Sequence, residues 1–510
     1  MSDNPYSGSA VKKSAVHFLI GKVFSALITI SILLSLVRVL TIPEYGAYIT
    51  LVAALDLANI VSGLGISWVE ARYIPDYRLH ASKSVLLGFI AKLLQLKLFI
   101  LFFFTVVIWL SLDWLLKEMN MSAYSEAAHI YVWMLLVEGF ARRLRDDTLG
   151  ALLQQKFSQI SLVLRNFIFV SLLGALFFLN DVNLLSVVQA ELFASFIGVL
   201  IALVGLLRSL KQVETKEDPS WTEPSWSQMW QVARNMYFSL LVGMAYGMPV
   251  FVLLIRRTFG EQADAATALF GFLSNIYSQT GAYLPAILLF SLIRPKLVAS
   301  YVGEGGIFQL ARNANLVGKF SLFVLMSLIV FVALSGDELI LLLSGGKFSN
   351  AGYYFLGLLF ALIPLSQRQI LETVSVVTGN SDLCNYASLW GIITLPITYA
   401  LIKLDFGLWG PIISLNVGSI LFSGIVIKGM TKRTDYNADM AGFYRMLLSA
   451  LLAYLVSFLL IIQGHGWTWL IVIGLLAFVT FLISSAIIKP FSEDERSLIN
   501  QQLKRNLFIW

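Results

Sequence analysis

Asp56 stands near the middle of an apolar run, 47–68, with Asn59 three positions on, so that both fall on one face of a helix. A carboxylate at membrane depth is costly unless it faces water or a partner. Two chemistries fit the pair. In a cavity they would contact sugar hydroxyls, with Asp56 also able to take up a coupling cation; in a packed bundle they would hydrogen-bond between helices. Glu191, beside Gln189 in a later run, is a second carboxylate at depth and a second candidate for cation coupling. Arg38 and Arg256 end two apolar runs in similar local settings, LVRVLTIPEYGAYITL and LIRRTFGEQADAATAL. A planar guanidinium grips a diphosphate through two parallel hydrogen bonds; anchoring in the headgroup layer is the other reading. Asn275, Gln279 and Tyr283 recur at helical spacing, a polar and aromatic stripe suited either to sugar binding or to helix packing. Lys92 with Gln95 could share a cavity-facing stripe, but Lys92 and Lys97 both lie within snorkelling reach of the inner face, the favoured reading, and Glu138 with Arg142 makes the simplest kind of intrahelical pair.

The elements that must carry these residues follow from composition. Of 510 residues, 58% are apolar and 13% charged, and mean hydropathy is +0.79, values that exclude an ordinary water-soluble domain. Runs of about twenty apolar residues must satisfy their own backbone hydrogen bonds in lipid, so the fold expected is all-α. About fourteen spans are predicted, near 15–37, 47–68, 85–111, 127–145, 162–180, 184–207, 229–255, 265–290, 312–334, 351–372, 384–402, 407–427, 442–463 and 467–488. An even number places both termini on one side. With that side cytoplasmic, roughly 28 of the 36 Lys and Arg fall inside, in clusters such as Arg72/Arg78/Lys83, Arg142/Arg143/Arg145, Arg208/Lys211/Lys216, Arg294/Lys296, Lys428/Lys432/Arg433 and Lys504/Arg505. The predicted organisation is a cytoplasmic tail (1–14), a six-span lobe (15–207), a polar cytoplasmic loop (208–228), a second six-span lobe (229–427), a terminal pair of spans (428–488) and a cytoplasmic tail (489–510). Gly243, Gly247 and Pro249 predict a bend in span seven.

Other chemistries find little support. Cys384 is a lone cysteine and the four histidines are dispersed, which argues against a disulfide or a metal site. Gly345-Gly346-Lys347 is followed by Phe348, so it is not a phosphate loop. The net charge of +6 reports topology rather than a nucleic-acid partner. Any driving force would be an ion gradient, of protons or sodium, the membrane potential, or consumption of the cargo.

RVLTIPEYGAYITLVAALDLANIVSGLGIS, residues 38–67, resembles the opening signature of the polysaccharide flippases of the multidrug/oligosaccharidyl-lipid/polysaccharide (MOP) exporter superfamily. GALLQQKFSQISLVLRN (150–166), LLLSGGKFSNAGYYFLGLLFALIP (341–364) and the turn DFGLWGPIIS are similar to later pieces of the same pattern. The resemblance implies two lobes that open alternately to either side of the inner membrane. It also implies a cargo of undecaprenyl-diphosphate-linked oligosaccharide, for O-antigen or exopolysaccharide, and work beside a polysaccharide polymerase and chain-length partners within the membrane lipids. Such a protein is not an enzyme. Two alternatives are an exporter of other amphipathic solutes on the same fold, and an integral-membrane polymerase or glycosyltransferase; the second needs outer loops larger than this sequence offers.

Overall fold

The computed structural model describes residues 8–503 apart from 214, 216–217, 291–292, 295–296, 298–299, 302–305 and 462, and describes the backbone alone at 8–17, 19, 235, 239, 499 and 501–503. Residues 1–7 and 504–510 of the predicted tails, with Lys216, Lys296, Lys504 and Arg505 of the predicted clusters, lie outside the described residues. Among those described no strand occurs, and the chain is an all-α, multi-pass membrane protein. It divides into two compact units, Met1–Gly271 and Phe272–Trp510.

The first unit begins with α1 (Gly8–Val39), α2 (Ile42–Val61), α3 (Ile66–His80) and α4 (Lys83–Glu118). After α5 (Ser125–Tyr131) and α6 (Trp133–Arg143) comes a π-helical turn, Leu144–Thr148. Next are α7 (Gln155–Phe178), α8 (Leu184–Gln212), α9 (Trp226–Met244), α10 (Met248–Thr258) and α11 (Ala263–Ala282), which runs across the boundary. Local sequence explains where the helices start. Thr41 caps α2 and Glu44 returns the bond to the Thr41 N–H, with Pro43 in the first turn where its missing N–H is harmless. Asn183 with Ser186 and Ser225 with Gln228 do the same for α8 and α9. Gly65, at φ +72°, turns α2 into α3 in the left-handed region and lets the Ala233 carbonyl of α9 approach where a Cβ would collide. Helix α1 packs on α7, α7 and α6 on α8, α4 on α6, α9 on α3, and α10 on α2.

The second unit comprises α12 (Gly306–Leu343), α13 (Gly352–Val377), α14 (Asp382–Gly391), α15 (Thr394–Lys403), α16 (Trp409–Arg433), α17 (Met440–Leu460), α18 (Gly466–Ile488) and α19 (Glu493–Leu503). Here α12 packs on α13, α17 and α18, while α16 packs on α13, α14 and α15.

Eleven helical stretches among the described residues are long and apolar enough to cross a membrane, and α9 with α10, bent by 43°, meets the same criterion as a pair. The break falls between Met244 and Met248, with Gly247 as the N-cap of α10 and Pro249 in its first turn. The other two predicted spans, near 127–145 and 265–290, are largely helical. The first is broken at Val132 and carries Glu138, Arg142, Arg143 and Arg145; the second, α11, has 20 residues, as many as α2, but carries Asp264, Asn275 and Gln279. Exposed Phe99, Phe102, Leu110 and Trp114 along α4 are what a lipid-facing surface requires.

Candidate functional site

α2 presents two faces. Leu51, Leu55 and Ala58 line an apolar cavity of about 250 Å³ together with Leu112, Tyr131, Leu135 and Leu253. Asp56 and Asn59 turn instead toward α6. Arg142 Nη1 donates to Asp56 Oδ1 at 2.8 Å, and Arg143 Nη2 donates to the Asn59 carbonyl at 3.0 Å and to Ser62 Oγ at 2.7 Å.

From this pair an ion network runs inward. Glu138 lies 3.6 Å from Arg142 but takes its shortest bond, 2.6 Å, from Arg145, and Arg165 of α7 is 3.7 Å from its second oxygen. Arg165 Nη2 continues to Glu191 of α8 at 2.7 Å, and the Tyr48 hydroxyl donates to the other Glu191 oxygen at 2.9 Å. Three carboxylates thus face three guanidiniums, and such balance is what makes buried charge tolerable. Exposure is uneven along the chain. Glu138, Arg145 and Glu191 are buried, whereas the side chains of Asp56 and Arg142 are 34% and 42% exposed. The network is therefore least covered by protein at the Asp56–Arg142 end. There an incoming anion can exchange with the Asp56 carboxylate on Arg142, and an incoming cation with Arg142 on Asp56.

The other predicted residues lie elsewhere. Arg256 is 2% exposed: its Nε and Nη2 donate to the carbonyls of Met119 and Asn120 at 3.0 Å each, and Nη1 pairs with Asp264. It ties α10, the turn after α4 and the start of α11 together, and the neighbouring Gly46 stands ten residues, about 15 Å along α2, from Asp56. Arg38 is exposed in the last turn of α1. Asn275 and Gln279 lie on α11 and Tyr283 just past its end, all half-buried and within the second unit. Within the first unit the structure brings Asp56, Asn59 and Glu191 into one neighbourhood, and Arg256 makes its bonds to Met119, Asn120 and Asp264 instead.

Three features escaped the sequence pattern. Arg142 was visible as a partner of Glu138 and as part of a basic cluster, not as a partner of Asp56, and Arg165 was not singled out. Lys97, placed within snorkelling reach, points instead into the protein: its Nζ lies 2.7 Å from Glu70 and 3.1 Å from Asp147, and the residue is 0% exposed. In the second unit, Lys319 of α12 is buried against Asp439 and Glu495, each from a different stretch of chain. Burial alone would raise the Asp439 carboxyl; hydrogen bonds from Lys319 and the Gly442 N–H, with the charges of Lys319 and Arg445, outweigh it and hold the group below the usual carboxylate range.

No family model matches the chain, and no curated relative matches it in sequence. Solved structures do. The fold is one shared by transporters of the MOP superfamily: a multidrug resistance MATE transporter in an inward-facing conformation superposes with a TM-score of 0.55 at 13% identity, over 85% of this chain and 95% of that one. The lipid II flippase MurJ, in an inward closed conformation, gives a TM-score of 0.71 at 11% identity, over 96% of this chain and 100% of that one. The Vibrio cholerae MATE transporter VcmN gives 0.53 at 14% identity, over 84% and 99%. These are likenesses of fold.

Proposed function

We propose that the protein is a flippase that carries an undecaprenyl-diphosphate-linked oligosaccharide across the inner membrane by alternating access, for assembly of O-antigen or exopolysaccharide. Its termini face the cytoplasm, 15–207 and 229–427 form its lobes, and it works without covalent chemistry beside a polymerase and chain-length partners. The observation that carries the reading is the Asp56–Arg142 pair, partly exposed at the end of an otherwise buried ion network, in a fold shared with a lipid II flippase. A guanidinium released from Asp56 offers a diphosphate two parallel donors, and the residual attraction of the basic loops raises the local concentration of an anionic cargo. The motif at 38–67 supports the saccharide branch.

Deletion in a host without a second flippase is expected to abolish surface polymer while lipid-linked oligosaccharide accumulates. Restoration by the wild-type chain but not by Arg142→Ala, at equal membrane abundance, is the expected pattern; undiminished polymer after deletion would overturn the proposal. The fold shared with multidrug MATE transporters favours a second reading, export of amphipathic solutes. It predicts drug hypersensitivity with surface polymer intact.

A further inference from the structure

Lys97, Glu70 and Asp147 come from α4, α3 and the π-helical turn, and none takes part in the Asp56–Glu191 network. The Thr148 hydroxyl donates to the same oxygen of Glu70, Oε2, that accepts from Lys97, at 3.1 Å. Glu70 Oε1 is buried with no hydrogen-bond partner. Of the other charged groups on the surrounding elements, Arg145 is committed to Glu138 and Asp146 turns to the exposed surface, while Arg143 bonds the Asn59 carbonyl and Ser62 through Nη2, keeps a buried Nη1 without a hydrogen-bond partner, and lies close enough for its charge to act on Asp147 and Glu70. A buried and a partly buried carboxylate thus share one ammonium, and the spare oxygen belongs to the buried one. Burial pushes the Glu70 carboxyl above its usual range, against the pull of Lys97.

The backbone adds a second observation. Asp147 and Thr148 belong to a five-residue π-helical turn, Leu144–Thr148, which holds one residue more than an α turn would. Converting it to regular α-helix rotates one side of the turn against the other by about 100°, which takes the Asp147 carboxylate off Lys97. Asp147 is also the member nearest water, its side chain 17% exposed against 1% for Glu70.

We propose that Glu70, Lys97 and Asp147 form a proton-binding site, in which a proton on Glu70 is exchanged against the ion pair of Lys97 with Asp147. With Asp147 in place, Glu70 carries a hydrogen on Oε1 and stands as a neutral acid beside the Lys97–Asp147 pair. When the π turn relaxes and Asp147 withdraws to water, the O–H bond of Glu70 breaks, the proton leaves to water, and the Glu70 carboxylate alone neutralises Lys97. Lys97 faces one carboxylate charge in both states. The mixed states, with Lys97 between two carboxylates or beside none, are the costly ones, so proton and conformation move together. The inference rests on the transport reading for its use, and it supplies that reading with a proton as the coupling ion.

The test uses the full chain in lipid nanodiscs with no cargo, and reads protonated carboxyl groups by infrared spectroscopy across a pH titration. Wild type is expected to show a protonated-carboxyl band that persists near neutral pH. The band is lost in Glu70→Gln, is kept with a shifted midpoint in Glu70→Asp, and is lost in Asp147→Asn, where Lys97 has only Glu70 to neutralise it. An unchanged band in Glu70→Gln, or a Glu70 band that survives in Asp147→Asn, overturns the proposal. Because no cargo is present, the site stands or falls separately from the identity of what is transported.

Discussion

Arg142 and Arg145 are three residues apart and do different work. Arg145 is buried on Glu138, whereas Arg142 reaches Asp56 across half-open space. Arg142→Ala is therefore expected to cost about 1 kcal/mol of stability or less, as exposed ion pairs do, while lowering transport at least about tenfold; Arg142→Lys, which keeps the charge but loses the planar fork, should rescue poorly. Loss of folding in Arg142→Ala would instead mark the residue as structural. Arg256→Ala has the opposite signature. With two carbonyls and Asp264 left without their donor, a destabilisation of about 2–3 kcal/mol is expected in thermal or denaturant unfolding; a fully stable variant that no longer transports would return Arg256 to the substrate role its sequence setting suggested. Asp56 and Asn59 were legible because a polar pair at membrane depth has few explanations. Their partners were not, since contacts between helices leave no spacing signal. The i,i+4 rule matched Glu138 to Arg142, but the shorter bond is to Arg145, seven positions on and beyond the start of the π turn. Lys97 was misread for a related reason: its long stem permits either snorkelling or burial, and Glu70 and Asp147 lie 27 and 50 residues away.

At the scale of elements, Lys319 holds the end of the second unit together. Its ammonium draws Asp439, the N-cap of α17, and Glu495 of α19 onto α12, and it lies 5.8 Å from the Phe491 ring centroid. Lys319→Met should leave two partly buried carboxylates without a cation, so backbone amides of 434–445 and of α19 are expected to exchange hydrogen faster while α12 stays protected. Unchanged exchange would show that apolar packing alone docks α19. The pH dependence has a definite sign. A carboxyl held low in the folded state contributes stability that is present above its unfolded value, about 4, and is lost as the pH falls through the folded value. Exchange at 434–445 should therefore rise in acid, and the rise should be absent in Asp439→Asn. The start of α2 was read late: the apolar run begins near 47, whereas the Thr41–Glu44 capping box starts the helix at Ile42. Element boundaries were read worst where polar residues interrupt a span: α5 and α6 with their π turn are short and charged, and α11, though 20 residues long, is too polar to register as a crossing by itself.

For the whole molecule, composition alone excluded a soluble fold, and the all-α, multi-pass architecture follows from the demand that backbone in lipid bond to itself. The cargo is a different matter. A cavity reads a saccharide through scattered contacts, and neither hydropathy nor helical spacing records them. The central claim is that this chain moves a lipid-linked saccharide and that Arg142 takes part. It is tested most directly by reconstituting the purified protein in liposomes with lipid-linked oligosaccharide extracted from a strain lacking the chain, and by following the accessibility of the sugar to a membrane-impermeant reagent. The account predicts transfer between leaflets well above that of protein-free liposomes, falling at least about tenfold in folded Arg142→Ala. Transfer no faster than in protein-free liposomes, or equal in wild type and Arg142→Ala, would contradict it.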